Sequence, residues 1–135
     1  MANEATLVIE TELPLPFTCA DGTAIPKGSS LKIADLATVS LAAADEDYCG
    51  GIAGTEKIAS DGMVRMDVYR GGIFKVTASG SITAGQTVAH SSVDNKFKVT
   101  DATCIGNKAW GVALETASAD ETFLMELRPG CGVVA

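Results

Sequence analysis

Apolar and polar residues alternate along much of this chain, and the alternation predicts strands. Val64, Met66 and Val68 alternate with Arg65, Asp67 and Tyr69, while Phe74, Val76 and Ala78 alternate with Lys75 and Thr77. Near the end, Phe123, Met125 and Leu127 alternate with Leu124, Glu126 and Arg128 before Pro129 and Gly130 stop the run. A period of two places each apolar set on one face of a half-buried strand. Gly71 and Gly72 read as a hairpin turn between the first two strands, and Asp61-Gly62 and Ser91 to Asn95 as further turns. Between Leu31 and Ala44 the alanines permit a helix. Leu31, Ile33, Val39 and Leu41 nevertheless keep period two within short runs, so strands are preferred there. Turn residues recur from Asp21 onward, and an all-β body is the expected class.

The opening segment is patterned differently. Residues 5 to 17 are β-branched at first and then alternate Leu with Pro, ending Leu13-Pro14-Leu15-Pro16-Phe17. Each proline fixes φ near −65° and biases the preceding leucine towards extended geometry, which forbids a helix. A stretched strip cannot bury its own side chains. Leaving a large apolar side chain in water forgoes about 1.5–3 kcal/mol of burial, so the strip is expected to seek another surface. Thr6, Leu7, Val8 and Ile9 are candidates for strand addition, and Leu13, Leu15 and Phe17 for anchors.

A weak internal repeat adds an architecture. Ile25-Pro26-Lys27-Gly28-Ser29-Ser30-Leu31 matches Ile82-Thr83-Ala84-Gly85-Gln86-Thr87-Val88 at an offset of 57, and Gly51-Ile52-Ala53 matches Gly111-Val112-Ala113 at an offset of 60. Each Ile-x-x-Gly reads as a β-turn entering a strand, with Gly28 and Gly85 at the fourth turn position. Two similar halves closing into a small barrel are implied. Chance recurrence in a Gly-, Ala- and Thr-rich chain is the alternative.

Composition narrows the function more than it identifies it. A chain of 135 residues is one domain, able to bury roughly two-thirds of its unfolded surface. No run approaches the roughly 18 consecutive apolar residues of a membrane helix, so no membrane partner is expected. The first 26 residues carry four acids and no Lys or Arg, the opposite of a targeting segment, and no signal-directed export is expected. The net charge of −7, with the ten cations scattered, argues against nucleic acid, which needs a basic face. Cys19, Cys49, Cys104 and Cys131 lack metal-site spacing and read as reduced, partly buried thiols, with Cys131 in the tail the most reactive candidate. The single histidine, His90, reads as an exposed strand-end residue, and Asp45-Glu46-Asp47 as a solvated turn. Trp110 reads as core or interface. No nucleophile elbow, phosphate loop or metal cluster accompanies them, so no catalytic residue, cofactor or metal is expected.

The order of these segments resembles a family. Ile25-Pro26-Lys27-Gly28, Gly51-Ile52-Ala53, Val68 to Phe74, Ser81-Ile82-Thr83-Ala84-Gly85 and Gly111 to Ala117 together resemble the capsid decoration, or cement, proteins of tailed bacteriophages. The resemblance implies a β-barrel or β-tulip body of residues 18–130, an extended N-terminal arm of residues 1–17, and a short tail of residues 131–135. It implies a homotrimer on the outer surface of the head at threefold and quasi-threefold sites, its arm reaching the major capsid protein or a neighbouring subunit. Synthesis in the host cytoplasm follows. A carbohydrate-binding or adhesion module on a virion is the alternative, and it requires a surface aromatic platform from Trp110, Tyr48 and Tyr69.

Overall fold

The computed structural model describes residues 3–34, 38–101 and 106–130. They form eleven strands and one 3₁₀ turn, Gly106–Lys108. The strands are β1 (Thr6–Ile9), β2 (Leu15–Thr18), β3 (Ser30–Ile33), β4 (Val39–Leu41), β5 (Cys49–Ala53), β6 (Arg65–Tyr69), β7 (Gly72–Ala78), β8 (Thr87–His90), β9 (Lys96–Val99), β10 (Ala109–Ala113) and β11 (Thr122–Leu127). The class is all-β, as the alternation predicts.

The second half is a closed five-stranded barrel. Its strands run β7-β11-β10-β8-β9, and β9 returns to pair with β7 in parallel through Thr77–Lys96 and Ala78–Phe97. The first half runs β2-β6-β5-β3-β4, and a parallel bridge from Thr18 to Thr38 joins its two ends at the corresponding place. Strand for strand the two halves have the same topology.

Their registers agree as well. In β3, Ser30, Leu31 and Lys32 face Ile52, Gly51 and Cys49; in β8, Thr87, Val88 and Ala89 face Val112, Gly111 and Ala109. The same bulge falls at the same step, beside Gly51 and Gly111. Both glycines are required by close approach, because a Cβ would collide with the Tyr69 carbonyl at Gly51 and with the Glu126 carbonyl at Gly111. The isolated bridges Ile25–Lys57 and Ile82–Ala117 are a further matched pair. The repeat predicted at offsets of 57 and 60 is therefore a structural duplication.

Three expectations need correction. Gly71-Gly72 does not turn a hairpin: β6 pairs with β2 and β5 while β7 pairs with β1, β9 and β11, so this glycine pair is the crossing from one barrel to the other. The Ile-x-x-Gly turn also lies one residue later than predicted. Ser29 N–H donates to the Pro26 carbonyl and Gln86 N–H to the Thr83 carbonyl, which makes Gly28 and Gly85 the third turn residue, at φ of +88° and +93°. His90, expected to be exposed, is fully buried.

The cores follow the duplication. Cys19, Ile25, Leu31, Val39, Ala53, Met66 and Val68 fill the first barrel. The second is packed with Phe74, Phe97, Trp110, Phe123 and Met125, and Ala42, Cys49 and Ile52 of the first half join that cluster across the seam. Alternation chose these residues correctly in β6, β7 and β11, except that Val64 lies ahead of its strand and is exposed.

Candidate interaction surface

Exposed apolar side chains lie along the N-terminal strip, at Val8, Ile9, Leu13 and Leu15, and in the β5–β6 loop, with Tyr48, Val93 and Leu114 exposed elsewhere. β1 lies antiparallel on β7, with Thr6 facing Lys75, Leu7 facing Phe74 and Ile9 facing Ile73. Leu7 is half-buried, while Val8 and Ile9 project into solvent. Beyond Leu7 the strand is held near its two ends: Ala5 N–H donates to the Gly28 carbonyl at 2.8 Å, and the Tyr69 hydroxyl donates to Glu10 at 2.8 Å. That bond to a carboxylate holds the Tyr69 hydroxyl above the ordinary tyrosine pKa. Between these ties, β1 and the first barrel border a cavity of about 510 Å³ whose lining includes Leu7, Ile52, Tyr69 and Phe74.

The second part of the strip is built into the first barrel. Leu15, Pro16, Phe17 and Thr18 face Val68, Asp67, Met66 and Arg65 of β6. Cys19 N–H donates to the Val64 carbonyl. Main-chain groups alternate sides along an antiparallel strand, so Leu15 and Phe17 address β6 while Pro14, Pro16 and Thr18 address the opposite edge. Both prolines therefore stand where the missing N–H blunts an open edge. Their counterparts on β7, Ile73 and Lys75, are the residues that face β1. Leu13, 76% exposed, and Leu15 flank the blunted edge, with Phe17 half-buried against the first core.

A loop next to the strip carries more apolar surface. The β5–β6 loop exposes Ile58, Met63 and Val64, and Met63 shares with Pro16 a surface cavity of about 360 Å³. Lys57, buried beneath this loop, fixes its shape. Its ammonium donates to Oδ1 of Asp21 at 3.0 Å, Oδ1 of Asp61 at 2.6 Å, and the carbonyls of Asp21 and Ile58. Burial opposes the Lys57 charge, but the bonds to Asp61 and Asp21 outweigh it and hold the ammonium above its ordinary pKa. The same bond holds the Asp61 carboxyl below its ordinary value. In the second barrel the corresponding bridge residue is Ala117.

Residues considered for chemistry lie elsewhere. Asp45 and Glu46 pair with Lys98, and Asp47 Oδ2 accepts the N–H groups of Ala43 and Ala44, so this turn is ordered rather than merely solvated. Cys19 and Cys49 are buried thiols, and burial pushes the Cys19 thiol up. Cys104 and Cys131 lie outside the described residues, as does the 131–135 tail. Trp110 is buried, Tyr69 is half-buried, and only Tyr48 of the three candidate platform residues is exposed. One exposed ring is no platform for a sugar, so the adhesion reading lacks its structural requirement.

Sequence comparison decides the family. The family model of the phage cement proteins matches residues 9–128. The chain belongs to this family. Among solved structures, the N-terminal base of the gp8.5 head fibre of bacteriophage phi29 matches with a TM-score of 0.57 and 17% identity, over 89% of this chain and 99% of that one. At that identity the likeness speaks for the fold. No curated protein matches the chain. Family membership makes this cement protein a structural component of the virion that binds the capsid. The blunted β2 edge and the Lys57-braced loop are features sequence reasoning missed. Pro-x-Pro signalled the first, and nothing local signalled the second.

Proposed function

We propose that this cement protein sits on the outer surface of a phage head, as a homotrimer at threefold and quasi-threefold sites, and stabilises the lattice of the major capsid protein without catalysing a reaction. One observation carries the reading: a member of the cement family exposes Val8, Ile9, Leu13 and Leu15 along its arm and Ile58, Met63 and Val64 in the adjoining β5–β6 loop. Packaged DNA pushes outward on a thin shell, and a cap bridging several coat subunits adds contacts that must break before the shell parts. The arm supplies reach. Thr6 to Glu12 would leave β7 and add a strand to a sheet edge of the coat or of a neighbouring subunit, its main chain giving affinity and its alternate side chains register. Leu13, Leu15 and Phe17, with Ile58, Met63 and Val64 beside them, would be the apolar anchors. The acidic balance of the chain suits a position away from the DNA.

The test is attachment to heads that lack the protein. Deleting residues 1–12 spares β2, so the body is expected to remain folded by circular dichroism and fail to co-sediment with heads. Heads carrying the intact protein should withstand heating that bursts bare ones. Full attachment by the truncated chain, or no gain in head stability from the intact one, would overturn the proposal.

A further inference from the structure

The imidazole of His90 is enclosed where the two barrels meet. Its ring centroid lies 5.4 Å from that of Trp110 and 5.6 Å from that of Phe97. Nδ1 stands 3.3 Å from the Ala44 carbonyl, to which it donates, and Nε2 has no partner among the described residues. An unpaired buried nitrogen is a standing cost that folds avoid. This fold also shows that the position does not need one. The matching end of β3 carries Ile33, which faces Val39 just as His90 faces Phe97.

Over the imidazole lies the β4–β5 loop, rooted in the first barrel and seated on the second. Glu46 N–H donates to the His90 carbonyl at 2.9 Å, and Trp110 Nε1 donates to the Asp47 carbonyl at 3.0 Å. Lys98 Nζ reaches Asp45 Oδ2 at 2.7 Å and Glu46 Oε2 at 3.0 Å. The charged groups around the ring are thus Asp45, Glu46 and Asp47 on the loop, Lys98 on β9, Asp94 in the β8–β9 turn and Lys108 in the 3₁₀ turn before β10. Burial holds the His90 pKa below the ordinary histidine range, against the opposing pull of the Ala44 carbonyl, the Asp47 carboxylate, the Ser91 main chain and the Asp94 carboxylate. A proton arriving at Nε2 would place an N–H without an acceptor, and a charge, inside an aromatic cage.

We propose that this seam is an acid-operated clasp: protonation of His90 at Nε2 releases the 42–48 loop from the second barrel. In the released state the imidazolium meets water and the loop carboxylates, so the open form binds a proton that the closed form excludes. Closure is complete above the open-state pKa of about 6.5 and is lost progressively as pH falls below it. Opening rises about tenfold per pH unit from there down to the lower pKa of the closed state.

The experiment follows amide hydrogen exchange at Ala43 to Asp47 in the full chain from pH 7.5 to 4.5, corrected for the intrinsic rate, with imidazole ¹⁵N shifts recorded in parallel. Loop protection is expected to fall about tenfold per pH unit below pH 6.5, with the imidazole taking its proton at lower pH, where the open form becomes the major one. His90→Ile, which copies Ile33, is expected to keep the loop protected across this pH range. Should that variant fail to fold, His90→Gln, neutral at every pH, makes the same comparison. The clasp is overturned by equal acid profiles in the wild type and a folded variant, or by an imidazole that takes its proton while the loop stays protected.

Discussion

The two barrels share topology, register and bulge, yet they are filled differently. Where the second buries Phe74, Phe97, Trp110 and Phe123, the matching positions of the first hold Leu15, Val39, Gly50 and Met66. The difference separates what the fold requires from what each copy adds. Closure and the glycine bulge are common to both, so they belong to the architecture. The fully buried aromatics Phe74, Phe97, Trp110 and Phe123 belong to the second barrel, and the exposed loop, the buried lysine and the proline-blunted edge belong to the first. The first copy carries the exposed β5–β6 loop with Leu13 and Leu15, while exposed Val8 and Ile9 lie on β1 against the second.

The strongest way to break this comparison is to empty matching positions. Phe97→Ala should cost about 3–5 kcal/mol, because a buried aromatic leaves a cavity that its neighbours Trp110 and His90 cannot fill. Val39→Ala, at the same register in the first barrel, should cost about 1.5–3 kcal/mol, the burial value of its side chain. Urea unfolding of the two variants measures both. Equal losses would mean that the aromatic cluster does not set the stability of its barrel.

A smaller effect is expected at the bridge residue that the two copies do not share. Lys57→Ala makes the first barrel resemble the second at Ala117, but it leaves Asp21 and Asp61 facing each other without the ammonium. Loss of folding stability is expected, with protease cleavage moving into residues 54–64. The pH dependence has a definite sign. The Asp61 carboxyl is held low by Lys57, so its contribution is present above the ordinary carboxylate pKa of about 3.9 and is lost as pH falls below it. Lys57→Ala should remove that segment of the acid profile. A variant whose 54–64 loop resists protease as the wild type does would show that the loop needs no brace.

Much of this architecture was legible in the chain because it is local. Alternation reads correctly at Phe74 to Ala78 and Phe123 to Leu127, since a strand buried on one face shows its period within a few residues. The Ile-x-x-Gly turns revealed the duplication because their third residue takes a positive φ that favours glycine, and the matched Gly51 and Gly111 because close backbone approach tolerates only glycine. What was not legible depends on distant partners. Gly71-Gly72 has hairpin chemistry, yet the strands on either side of it pair elsewhere. His90 ends a short strand with Ser91 after it, which reads as exposed, and it is a loop more than forty residues away that covers it. Lys57 is a surface residue by type and is buried only because Asp21 and Asp61 meet it. The 6–17 strip was recognised as extended and apolar, but its division between β7 and β6 follows from long-range pairing.

The least costly change tests the finest part of the comparison. On β7, Ile73 and Lys75 face β1; Pro14, just before β2, and Pro16, on it, stand at the matching places with no N–H to offer. If the prolines blunt an edge, replacing them with residues that keep extended geometry and restore the donors should reopen it. Pro14→Ala with Pro16→Val is expected to change folding stability by no more than about 1 kcal/mol, mostly through the greater freedom of the unfolded chain. The informative change is in association. Leu13 and Leu15 already lie exposed beside that edge, so the double variant gains both a ladder and an apolar flank for another strand. Sedimentation velocity over a concentration series should show the variant self-associating more strongly than the wild type. Deleting residues 1–12 from the variant then identifies the added strand. If self-association disappears with the deletion, the incoming strand is Thr6–Ile9 of another copy; if it persists, the reopened β2 edges pair with each other.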